Sequence, residues 1–313
     1  MARKRKGNPV HGWINFNKPY GMGSTQAVGK LRWLMSAQKA GHAGTLDPLA
    51  SGVLPIALGE ATKTVPFMMD AAKSYEVEIT WGEHRDTLDA EGVVTATSDV
   101  RPSEAQILTA LPQFIGEIDQ IPPKYSAIKV DGKRAYDLAR AGQDVILKSR
   151  RVRIDDIRLI SAGENAARLF VDCGKGTYIR SLAADLADAL GTAGYVSQLV
   201  RTRVGPFKID AALGLDFIEQ SVHKAAADQV LLAVETALDD IPALAITKLE
   251  QDDVKQGRAI ALPLDFAKHM SLVDRPEIQD GKPVLILVKY EGKAVALCEA
   301  SGGTLYPKRV FMM

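Results

Sequence analysis

Gly41-His42-Ala43-Gly44-Thr45-Leu46-Asp47-Pro48 combines two glycines, one carboxylate and a closing proline. Gly41 and Gly44 give the backbone freedom, while Pro48 disfavours helical geometry at Asp47 and so helps fix how that side chain is presented. A phosphate-cradling loop would need the spacing GxxxxGK[ST], and neither Lys nor Ser follows at the required place. The segment therefore presents a carboxylate rather than a phosphate nest. An Asp-Pro in a turn is by itself ordinary structure. Its surroundings give it meaning.

Upstream, His11-Gly12-Trp13-Ile14-Asn15-Phe16 reads as a short strand and residues 18–23 as a loop. Ser24 is positioned to cap a helix whose apolar side carries Val28, Leu31, Leu34 and Met35 at helical spacing. Downstream, Tyr75, Val77, Ile79 and Trp81 alternate with polar residues, the pattern of a half-buried strand. Ser103 with Gln106 forms a capping-box pattern that opens a helix through Leu111. Strands are predicted over 125–130, 151–160 and 167–173, and a helix over about 178–190. Strands and helices that mix without strict alternation favour α+β over a doubly wound sheet. Residues 212–240 read as helical, Ala-rich and acidic. Short strands follow over 284–289, 293–298 and 304–311, with Glu291-Gly292 as the turn between the first two. The expected organisation is a basic tail (1–10), a main domain (11–240) and a small β-rich domain (241–313), with no internal repeat.

Composition bounds the function classes. The chain has 313 residues, 46% hydrophobic and 25% charged, with net charge +1, the balance of an ordinary globular protein. No apolar run is long enough to cross a membrane, and the basic start lacks the apolar stretch of a secretory signal. Cys173 and Cys298 cannot make a disulfide framework and fit a reduced, cytoplasmic compartment. The five histidines show no metal-binding spacing, so a structural zinc site is not expected. Charge is unevenly placed. Residues 124–153 hold nine Lys/Arg against three Asp, whereas 212–256 hold nine Asp/Glu against three Lys. Phosphate contacts respond to such local excess, so near-neutral net charge is compatible with nucleic acid.

Residues 41–54 resemble the signature of TruB-type tRNA pseudouridine synthases. Further blocks in the same order are Gly59-Glu60-Ala61-Thr62-Lys63, Lys73-Ser74-Tyr75, Pro122-Pro123-Lys124-Tyr125-Ser126-Ala127-Ile128-Lys129 and Gly174-Lys175-Gly176-Thr177-Tyr178-Ile179-Arg180-Ser181-Leu182. Arg201-Thr202 and Gly205-Pro206-Phe207 complete a likeness that spans about 11–208. The resemblance implies a mixed, largely antiparallel sheet in the main domain and a PUA-like RNA-binding domain at 241–313. It implies isomerisation of the uridine at position 55 in the T-loop of tRNA, with the base flipped out of its stack. The expected partner is the tRNA T-arm, without guide RNA or membrane, no metal or organic cofactor is expected for this chemistry, and the expected state is a monomer.

By the same resemblance Asp47 is the essential carboxylate, Tyr75 stacks on the target base and Arg180 pairs with Asp47, holding it ionised and oriented. A carboxylate can attack C6 or C1′, or remove a ribose proton, and the residues alone leave these open. His42 helps displace the base, Lys18 lies near the site, and Tyr178 belongs to the Arg180 block. Leu199 belongs to a block that sets an apolar residue against the base, with core packing an open alternative. Lys63, Lys129, Lys133 and Arg134 read as phosphate contacts. The chain departs from the family pattern at Gly23, Arg85 and Val200, none of which removes a catalytic residue. An RNA-folding chaperone and a guide-RNA-dependent relative remain as alternative readings.

Overall fold

The computed structural model describes residues 7–126, 128–130, 132–143, 145–263, 265 and 284–313. Strand β1 (Gly12–Lys18) leads into helix α1 (Ser24–Leu34), then β2 (Ala40–His42) and β3 (Ala50–Leu58). Helix α2 (Val65–Asp70) precedes β4 (Lys73–Trp81), a ribbon of β5 (Glu83–Arg85) and β6 (Val94–Thr97), α3 (Glu104–Ala110) and β7 (Gly116–Gln120). A second ribbon, β8 (Lys129–Val130) and β9 (Lys133–Arg134), is followed by α4 (Ala135–Arg140), β10 (Arg150–Ala162), β11 (Ala166–Cys173) and α5 (Ile179–Ala189). Next come β12 (Gly194–Val204), β13 (Phe207–Lys208) and α6 (Leu215–His223). The remaining elements are β14 (Ala243–Ala245), α7 (Lys248–Lys255), β15 (Ile260–Ala261), β16 (Val284–Tyr290), β17 (Lys293–Ser301) and β18 (Thr304–Val310).

The architecture is α+β. One nine-stranded sheet runs β1-β3-β12-β4-β11-β10-β7, with β2 beside β3 and β13 beside β12. Every pairing in it is antiparallel except β3 with β12, where Leu199, Val200 and Arg201 lie opposite Ala50, Ser51 and Gly52. That parallel contact brings the loop before β3 beside the middle of β12. On the other side of β12, Arg201 lies opposite Tyr75 of β4. Strand β4 buries Tyr75, Val77, Ile79 and Trp81 as its alternation predicts, and α1 packs Ala27, Leu31 and Leu34 into the same core.

The second sheet runs β14-β16-β17-β18-β15. Its hairpin turn carries positive φ at both Glu291 and Gly292, the geometry that joins twisted antiparallel strands. Leu287, Ala294, Leu297 and Phe311 pack with Trp13, Val53, Ala57, Phe207 and Leu238 in one apolar seam between the sheets.

Several expectations need correction. The N-cap of α1 is Gly23, not Ser24. The Ser24 hydroxyl instead donates to the Leu46 carbonyl (2.7 Å) and accepts from the Leu46 amide (2.9 Å), fastening α1 to the loop that carries Asp47. The strand expected over 125–130 shrinks to Lys129–Val130, because its ladder partner is only the two-residue β9 rather than the sheet. Within 212–240 only Leu215–His223 is α-helical; two short 3-10 turns follow at Ala227–Val230 and Val234–Leu238. Residues 1–6 of the basic tail lie outside the described residues, as do 266–283.

Candidate active site

Asp47 sits between β2 and β3, in a turn where Gly44 takes φ +93°. Its carboxylate meets the Arg180 guanidinium at 2.9 Å. The Arg180 side chain is 6% exposed and that of Asp47 39%, so the cation is set into the wall while the carboxylate faces open space. Arg180 lies in the first turn of α5. Gln120, buried at the end of β7, both accepts from the Tyr178 amide (2.8 Å) and donates to the Tyr178 carbonyl (3.1 Å). The Ser181 hydroxyl donates to the Ile121 carbonyl (2.7 Å). These bonds fix the helix start from which Arg180 projects.

The remaining Arg180 donors are also spent. They reach the Thr87 carbonyl (2.8 Å), the Tyr125 carbonyl (2.9 Å) and the Asp89 carboxylate (3.4 Å). Leu88, at φ +63°, turns the backbone so that the Thr87 carbonyl and Asp89 face the same guanidinium. Asp89 is held in turn by the Thr87 hydroxyl (2.5 Å) and the Glu91 amide (3.1 Å). The segment Asp86-Thr87-Leu88-Asp89 is visible in the sequence, but nothing in it marks Asp89 as a partner of Arg180.

Two sizeable cavities flank the Asp47–Arg180 pair. The smaller, about 280 Å³, is lined by Asp47, Tyr75, Tyr178, Arg180, Leu199 and Arg201 among others. The larger, about 710 Å³, opens toward Asp86, Asp89, Tyr125 and Tyr136. Tyr75 is almost wholly buried, and burial pushes its phenol pKa up, a push opposed by Arg201. Burial likewise raises the Tyr178 phenol, opposed by the nearby Ser126 hydroxyl.

Lys18 is fully buried behind the loop. Its ammonium donates to the carbonyls of Met22 (2.7 Å), Pro19 (3.1 Å) and Pro48 (3.3 Å), tying the end of β1 to the residue after Asp47. Desolvation brings its pKa down to about 8 against the attraction of Asp47. His42 lies on β2 opposite Ile56, half-buried, with its pKa lowered by burial and by Arg201. It lines neither cavity.

The structure thus brings Asp47, Tyr75, Tyr178, Arg180 and Leu199 to one cavity, with Lys18 behind it. Lys63 is elsewhere. Its ammonium pairs with Glu60 (2.5 Å) and donates to the Val310 carbonyl (2.6 Å), at the seam with the second sheet. Lys129, Lys133 and Arg134 contribute backbone to the β8–β9 ribbon, and their side chains lie outside the described residues. Among the described residues no group of His, Cys, Asp or Glu side chains is placed to hold a metal ion. None of the described helices is long and apolar enough to cross a membrane.

Comparison with known proteins gives this geometry a family. Residues 32–179 match the N-terminal domain of TruB family pseudouridylate synthases. Residues 180–239 match the tRNA pseudouridylate synthase B C-terminal domain. The chain is 52% identical to tRNA pseudouridine synthase B of Caulobacter sp. (strain K31), over 100% of both chains. The chain belongs to the TruB family of pseudouridylate synthases. The protein of that name from Rhodospirillum rubrum is 48% identical over 99% of each chain. Among solved structures, a Cbf5–Nop10–Gar1 complex matches with TM-score 0.71 and 26% identity, over 96% of this chain and 85% of that one. An H/ACA RNP bound to a substrate RNA containing 2′-deoxyuridine shares the fold, with TM-score 0.73, 23% identity and coverage of 100% and 92%. The Asp47 loop and the last three residues of α1 fall within the N-terminal TruB match, whereas Arg180 opens the C-terminal one.

Proposed function

We propose that this TruB-family enzyme converts uridine to pseudouridine in tRNA, at position 55 of the T-loop, using Asp47 on a base withdrawn from its stack. The observation that carries the reading is the Asp47–Arg180 pair at the wall of a cavity walled by Tyr75 and Leu199. A carboxylate beside an aromatic ring in a small cavity suits a base removed from its helix, since the ring replaces lost stacking.

The chemistry exchanges one bond for another. The N1–C1′ bond breaks with its electron pair staying on the base, where the charge spreads over the two uracil carbonyls. Asp47 assists as nucleophile toward C1′ or C6, or as base toward the ribose, and each role needs its carboxylate turned into the cavity. The base rotates, C5 bonds to C1′, the C5 proton leaves and N1 takes one up. Arg180 orients Asp47, Lys18 braces the loop behind it, and Leu199 confines the base. His42, at the edge of this loop, takes part in displacing the base. The basic segment 124–153, with Lys129, supplies phosphate contacts to the T-arm. The second sheet is read as a PUA-like RNA-binding unit that adds affinity without entering the chemistry.

The test is tritium release from tRNA carrying C5-tritiated uridine, with no added metal or guide RNA. The wild type should release one equivalent per tRNA and Asp47→Asn none, while both bind tRNA. Equal release by the variant would overturn the role of Asp47. Release only after a guide RNA is added would favour the guide-dependent reading.

A further inference from the structure

Arg201 is a buried cation. It is 1% exposed, one of the largest fully buried side chains, and among the described residues no carboxylate pairs with it. Arg180, one cavity wall away, divides its charge between Asp47 and Asp89. Arg201 spends its donors on neutral oxygens: the carbonyls of Val53 (2.8 Å), Gly44 (3.1 Å) and Thr45 (3.2 Å). Tyr75 lies opposite Arg201 across the β4–β12 ladder. Carbonyl bonds explain how the charge is tolerated but not why a full charge stands there, since removing an ion from water is costly unless it is paired. The unspent charge reaches its neighbours, lowering the proton affinity of Lys18, Lys73 and His42.

Two features point this charge at the substrate. Arg201 itself lines the smaller cavity, together with Tyr75, Tyr178 and Leu199. Residues opposite each other on neighbouring strands share a face of the sheet, so the guanidinium and the Tyr75 ring stand side by side. A uracil stacked on Tyr75 would set a carbonyl in the field of that charge. Breaking the N1–C1′ bond puts negative charge on that carbonyl, and fixed donors and charges in a water-poor site act most strongly where charge develops.

We propose that Arg201 supports glycosidic cleavage: beside Tyr75 it sets a buried positive charge toward the departing uracil, stabilising the uracil anion. This rests on the uridine isomerisation proposed above.

The test compares tRNA with uridine at the target position against the same tRNA with 5-fluorouridine, whose base leaves as a more stable anion. Single-turnover loss of the N1–C1′ linkage is followed by digestion and chromatography for wild type, Arg201→Gln and Arg201→Lys. Arg201→Gln should slow cleavage of uridine about 100-fold, the range for loss of one preorganised charge-stabilising group. It should slow 5-fluorouridine tenfold or less. Arg201→Lys, which keeps the charge, should retain the wild-type ratio between the two substrates. Both rates come from one preparation, so a partly misfolded variant leaves their ratio intact. Equal slowing of both substrates by Arg201→Gln, or the same altered ratio in Arg201→Lys, would overturn the proposal. A wild type that cleaves neither substrate would overturn the isomerisation reading itself.

Discussion

Arg180 holds Asp47 and Asp89 with one guanidinium, Nη2 meeting the first at 2.9 Å and Nη1 the second at 3.4 Å. Of the two, only Asp47 lines the smaller cavity; the Asp89 side chain is nearly buried. The inner carboxylate therefore sets the rotation of the arginine, and the arginine sets the outer carboxylate.

Asp89→Asn keeps this shape and removes the charge. Single-turnover isomerisation should fall about 10- to 100-fold, a loss of roughly 1.4–2.8 kcal/mol in transition-state stabilisation. Affinity for tRNA should change less than threefold. A fall in affinity with the rate unchanged would place Asp89 in RNA binding instead.

Lys18 gives stability a pH dependence of defined sign. Its folded pKa is about 8 against an ordinary 10.5, so between those values the unfolded chain holds a proton that the folded chain has shed. Stability contributed by this residue therefore rises with pH across that window. Lys73, brought down to about 8 by desolvation, acts in the same direction. Urea midpoints at pH 7.5, 8.5 and 9.5 should show wild type gaining on Lys18→Met as pH rises. A constant gap between the two would contradict the assignment.

Lys63 separates a structural latch from a phosphate contact. Its bonds to Glu60 and to the Val310 carbonyl, with the Met312 amide donating to the same carboxylate (3.0 Å), join the two sheets. Lys63→Met should cost about 1–2 kcal/mol in urea unfolding. It should leave the slope of log affinity against log salt unchanged, whereas losing a phosphate contact reduces that slope by about 1.

Gly52 has no room for a side chain. It takes φ +100°, and a Cβ there would collide with the backbone carbonyl of Arg201 across the parallel ladder. Gly52→Ala should lower stability by about 2 kcal/mol or more and slow isomerisation by moving the Asp47 loop off β12. Unaltered urea midpoints would show that the ladder yields freely.

Legibility in the sequence followed the reach of each signal. Strand β4 was plain because its period of two places Tyr75, Val77, Ile79 and Trp81 inside. The capping box at Ser103 and Gln106 forms as read, since every partner is within one turn. Strand β12 was missed, although it is central. It carries Ser197, Gln198, Arg201 and Arg203, and its burial comes from neighbours far along the chain. Asp47, Tyr75 and Arg180 were singled out through motif blocks rather than periodicity. Asp89, Gln120 and Arg201 were not assigned, because what they do depends on a turn at Leu88, a strand end beside α5 and a parallel pairing. None of these is a local property of sequence.

The seam between the sheets has a consequence for synthesis. Trp13 and Phe207 are buried together with Phe311. A nascent chain leaving the ribosome presents Trp13 first and must wait for β16, β17 and Phe311 before that face is covered. Until then the outer face of β1 and β3 offers bare indole and aliphatic surface to any chaperone within reach. Folding of the first strand is completed only by the last.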